Sequence, residues 1–108
     1  MSVDWNEVWS SGVQAAEDVV NAEVPAARKY VRGILEGRER RLKLILLCWA
    51  DGALDQASLE EEFEQERDTV ELEFLAIKVM VKKAAQDAAN AVFNVIENAL
   101  FNGIELAA

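Results

Sequence analysis

Apolar residues recur at intervals of three and four along most of this chain, the spacing that lines one face of an α-helix. Trp5, Val8, Trp9, Val13, Ala16, Val19 and Val20 form a first stripe, and Tyr30, Val31, Ile34, Leu35, Leu42, Ile45, Leu46 and Trp49 form a second. No stretch alternates apolar and polar residues between turn signals, so the pattern predicts an all-α chain without strands.

Local signals divide the pattern into elements. Asp4, followed three residues later by Glu7, predicts an N-cap and a first helix over about residues 4–23. Pro25, the only proline, kinks or breaks the chain near Val24 and can itself open the next helix, where its missing N–H costs nothing. A second helix over about 25–50 stops at Asp51-Gly52, because glycine there accepts the left-handed conformation that satisfies the last carbonyls. Gly33 and Gly37 lie four apart within it; each weakens the helix by about 1 kcal/mol relative to Ala, unless it admits another backbone closely. Ser58 with Glu61 reads as a capping box, and no Gly or Pro follows until Gly103, which predicts one uninterrupted helix over about 58–105.

These elements match in length. Ser58 to Asn102 extends roughly 68 Å as a helix, and the two N-terminal segments together roughly 69 Å. The expected architecture is a single all-helical domain over residues 1–108: a long antiparallel helical hairpin with its N-terminal arm broken near Pro25, assembling further into an oligomeric helical bundle. Trp49 and Gly52 at the bend of a hairpin of about this length resemble the small WXG-type hairpin family. The spacing here is Trp-x-x-Gly where that family has Trp-x-Gly, and the resemblance implies the bend alone.

Charge adds a register to the hairpin. Eight carboxylates lie between Glu60 and Glu73, a density that repels itself unless cations are near. Folding about position 54 places Arg38, Arg40, Arg41 and Lys43 opposite residues 64–70, which predicts ion pairs of these four with Glu64, Glu66, Asp68 and Glu71.

The C-terminal segment is apolar around most of its circumference, from Ala84, Ala85, Ala88 and Ala89 through Val92, Phe93, Ile96, Leu100 and Phe101. One antiparallel neighbour covers a single face, so Val92, Phe93, Ile96, Leu100 and Phe101 are expected to be buried partly by another chain. Asn90, Asn94, Asn98 and Asn102 make the one polar stripe; water is its expected environment, with interchain amide bonds as the alternative. These amides, with Glu97 and Glu105, argue against a lipid-spanning helix.

Composition narrows the chemistry. Eleven basic residues against twenty acidic ones leave a formal charge of −9, which repels phosphate backbones and anionic lipid, so neither nucleic acid nor membrane is an expected partner. The chain has no histidine, and it lacks phosphate-loop and nucleophile-elbow patterns; no catalytic residue, cofactor or metal ligand is expected, and no enzyme activity. Glu62 and Glu66, one turn apart, are the best carboxylate pair for a hard cation, against the simpler reading of an Arg-paired helix surface. Trp5, Trp9 and Trp49 fall on apolar stripes and read as core or interface. The single Cys48 sits in an apolar run, no secretory-signal pattern opens the sequence, and a reducing cytoplasmic setting is expected.

The expected function is that of a structural or interaction protein that assembles with itself through its C-terminal helix, as a small accessory protein of a phage or mobile element would. The alternatives are an acidic antagonist or adaptor that presents residues 60–73 to a basic protein surface, and a weak carboxylate metal binder.

Overall fold

The structure, a computed structural model, describes the backbone of residues 4–107 and the side chains of residues 4–100. Every regular element among these residues is helical: α1 (Trp5–Glu23), α2 (Arg28–Ala50), α3 (Gln56–Leu75) and α4 (Lys82–Ala107), with a 3-10 turn, Pro25–Ala27, between the first two.

Local chemistry sets the boundaries from the start of α1 to the start of α3. Asp4 caps α1, accepting from the backbone N–H groups of Asn6 and Glu7. Val24 ends α1, and Pro25 opens the 3-10 turn that leads into α2. At the end of α2 the N–H of Gly52 donates to the Trp49 carbonyl and that of Ala53 to the Cys48 carbonyl. Gly52 adopts φ +80°, so this is the paired-bond C-cap that glycine makes easy. The start of α3 differs from the Ser58 expectation. Asp55 is the cap, accepting from the Ser58 N–H at 2.7 Å, and the helix begins at Gln56. That contact and the Ser58 hydroxyl hold the Asp55 carboxyl below its ordinary range.

The uninterrupted C-terminal helix does not form. Backbone N–H groups of Ile77 and Met80 reach back three residues, to Phe74 and Ile77, and the chain turns over Ala76 to Val81 before α4 begins. A 68 Å rod is also excluded by size, because the longest dimension of the molecule is 43 Å. The turn contains no Gly or Pro, only the β-branched Ile77, Val79 and Val81 as weaker helix formers. Burial decides it: folding α4 back gives its apolar circumference two neighbours within the chain, where a straight arm gives one.

The expected two-arm hairpin is therefore folded twice more. Ion pairs and aromatic contacts join residues equidistant from each turn, so successive helices run antiparallel: Arg32 with Glu17, Arg41 with Glu66, Phe63 with Phe93. Lys83 with Glu23 then closes α4 on α1. Each helix packs on its two neighbours in this ring, and among the described residues the diagonal pairs bring no Cα atoms within 8 Å, the arrangement of an up-down-up-down four-helix bundle.

The core runs through the centre of the ring: Val13, Val20, Val31, Leu35, Leu42, Phe63, Val70, Phe74 and Phe93 are all essentially inaccessible to solvent. Trp9 joins it, stacked on the half-buried Trp5 with ring centroids 5.7 Å apart. The α1–α4 seam is the closest. A Cβ at Gly12 would lie 3.0 Å from a Val92 methyl, so this glycine sets how near the two backbones come.

Candidate interaction surface

The four helices present unlike faces to solvent. On α4, Val92, Phe93 and Ile96 are fully buried and Leu100 nearly so; Phe101 lies outside the side chains described. The coverage these residues need is supplied by α1 and α3 of the same chain, which corrects the inference that a second chain must cover them. Asn94 and Asn98 are exposed and Asn90 is half-buried, while Asn102 lies outside the described side chains. Burial lifts the carboxyl pKa of Glu97 above its usual value, with Arg67 pulling it down and Glu60 pushing it up.

The α2–α3 seam is polar. Arg38 donates to Glu73, whose attraction outweighs partial burial and raises the guanidinium pKa. Arg41 lies 3.5 Å from Glu62 and 3.4 Å from Glu66. The Glu66 oxygen nearest Arg41 makes no aligned hydrogen bond, so that contact is one of charge. Glu62 and Glu66, the best candidates for a metal pair, therefore face a guanidinium.

The ion-pair set differs from expectation by one or two helical positions. Arg38 meets Glu73 rather than a residue of 64–71, and Arg41 meets Glu62 as well as Glu66. Among the described residues Arg40 and Lys43 have no carboxylate within 4.0 Å, and Glu64, Asp68 and Glu71 have no cation within that distance. The reason is helical phase. Glu62, Glu66 and Glu73 lie on the flank of α3 turned to α2, whereas Glu60, Glu61, Glu64 and Asp68 are exposed on its outer side.

The exposed large hydrophobic residues among those described lie on α2, on α3 and in the turn that follows: Tyr30, Leu44 and Leu47, then Leu72, then Val79 and Val81. Between α2 and the end of α3 lies an open groove of about 920 Å³, walled by Tyr30, Ile34, Ile77 and Val79, with Lys29 and Lys78 at its rim. Sequence reasoning placed Tyr30 and Ile34 on the core stripe of α2 and missed the groove, because its far wall is the turn over Ala76 to Val81. The run of apolar residues in that turn was the available signal. Gly33 lines the groove, and neither it nor Gly37 has another atom within 4 Å of the position a Cβ would take.

Among the described residues no helix is long and apolar enough to cross a membrane, and no group of three or more Cys, Asp and Glu is placed to hold a metal ion. No protein-family model, curated protein or solved structure matches this chain.

Proposed function

We propose that the chain is a non-enzymatic interaction protein that works by contact with copies of itself, and that its working surface is the α2–α3 side of the bundle. One observation carries this reading: Tyr30, Leu44, Leu47 and Leu72 are exposed on two adjacent helices, while Val92, Phe93, Ile96 and Leu100 of α4 are covered from within. Large side chains left in water on one side of a small bundle mark a contact surface. The test is molar mass in solution over a range of protein and salt concentrations. The reading expects twice the 12.0 kDa of the chain or more; a mass of one chain throughout would end it.

A second reading has its own support. Glu60, Glu61, Glu64 and Asp68 are exposed and, among the described residues, have no cation within 4.0 Å, as an acidic antagonist of a basic protein requires. Under it, the monomer binds an oligolysine peptide in a salt-dependent way, and Glu60→Gln, Glu61→Gln, Glu64→Gln and Asp68→Asn together abolish binding. Binding unchanged in that variant would count against this alternative.

A further inference from the structure

We propose that the groove between α2 and the end of α3 is the seat of Leu72 from a second copy, and that two copies exchange this residue across a two-fold axis. The proposal rests on the self-association reading and names its surface.

The groove is apolar in its walls and basic at its rim. Tyr30 and Val79 are each about half exposed, and Lys29 places its ammonium 5.2 Å from the centre of the Tyr30 ring. Among the described residues neither Lys29 nor Lys78 has a carboxylate within 4.0 Å. Glu73, the one acid in the wall, is engaged by Arg38. The chemistry that completes such a site is an apolar side chain carried beside carboxylates on a helix.

The same chain carries that element. Leu72 is 68% exposed, the highest value among the large hydrophobic side chains described. Glu64, Asp68 and Leu72 follow one another at intervals of four, along one ridge of α3. Among the described residues Asp68 and Glu64 have no cation within 4.0 Å, so the ridge has the shape and charge the groove lacks.

Leu72 cannot fill the groove of its own chain, because it points outward from the helix whose inner flank forms a wall. It nevertheless borders that groove: Glu73, the next residue, and Ala76, one turn on, both line it. Knob and socket side by side on one surface make a self-complementary patch, the requirement for a closed two-fold dimer in which each copy gives and receives the same contact. Lys29 and Lys78 then face Glu64 and Asp68 of the second copy.

Sedimentation of the wild-type chain, of a Leu72→Glu variant and of two charge-reversed variants tests this. Lys29→Glu with Lys78→Glu makes the groove acidic; Glu64→Lys with Asp68→Lys makes the ridge basic. The altered side chains lie outside the core, and circular dichroism verifies that each variant folds. The wild type is expected to be a dimer, with Leu72→Glu and each charge variant alone weakening it by about a hundredfold or more, because like charges then face each other. Mixing the two charge variants should restore dimers of one copy of each, since both contacts become complementary again. A wild-type monomer would overturn the self-association reading and this inference with it. A wild-type dimer indifferent to Leu72→Glu, or charge variants that fail to pair when mixed, would overturn the inference alone.

Discussion

Two of the four seams of the bundle are built on opposite principles. Where α1 meets α4, Gly12 lies against Val92 and Ala85, Ala88 and Ala89 are buried, with the Lys83–Glu23 ion pair at one end. Where α2 meets α3, Arg38 and Arg41 bridge to glutamates at the margin, and at one end the helices part to leave an open groove. The first seam is held by shape, which is felt at every methyl group; the second is held partly by exposed charge, which tolerates change.

The largest effect is expected at Phe93, fully buried where α4 meets α3 and edge-to-face with Phe63. Phe93→Ala is expected to cost about 3–5 kcal/mol by chemical denaturation, through lost burial and the cavity left behind.

A sharper comparison uses one residue type in two places. Gly12→Val drives a branched side chain into Val92 and should cost about 1–3 kcal/mol. Gly37→Ala meets nothing and should instead stabilise the fold by about 1 kcal/mol, the helix-propensity difference. A Gly12→Val variant as stable as the wild type would mean that α1 and α4 do not approach each other closely at Gly12.

Smaller effects are expected from charge. Arg38→Ala and Arg41→Ala should each destabilise by about 0–1 kcal/mol at low ionic strength, and by less when salt screens the pair. Denaturation midpoints at two salt concentrations measure this.

At Glu97 the sign reverses. The folded chain holds the Glu97 proton more tightly than the unfolded chain does, so stability falls as pH rises through the raised pKa. Glu97→Gln should therefore raise the melting temperature at neutral pH and leave it unchanged in acid, where the carboxyl is already neutral. A gain that persists in acid would assign the effect to packing.

What was legible in the sequence follows the same division between local and distant causes. The Asp4 cap, the break at Pro25 and the stop at Gly52 are each decided by a few neighbouring residues, and their chemistry could be read directly. The turn over Ala76 to Val81 has no such signature. It exists because α4 is covered better by α1 and α3 than by one arm, a comparison between distant segments that no window of sequence contains. The same misreading assigned Val92, Phe93 and Ile96 to an interface between chains: the need for a second neighbour was correctly inferred, but α1 supplies it. On the candidate surface, the charged stretches that meet across the bend were visible, whereas the partner of each arginine was not. A shift of two residues on α3 turns a carboxylate from Arg41 toward water.

The pairing of α1 with α4 also bears on when this chain can fold. Gly12 and Val92, which touch at the seam, are eighty residues apart, and at ordinary rates of translation the second follows the first by roughly 4–16 s. During that interval the Trp9–Val20 stripe of α1 can pack on α2 but not on the helix that covers it most closely. Closing so long a loop costs entropy before it is rewarded, so joining the first and last helices is expected to be a late step of folding. Until then the nascent chain shows its surroundings an apolar face that the finished bundle hides.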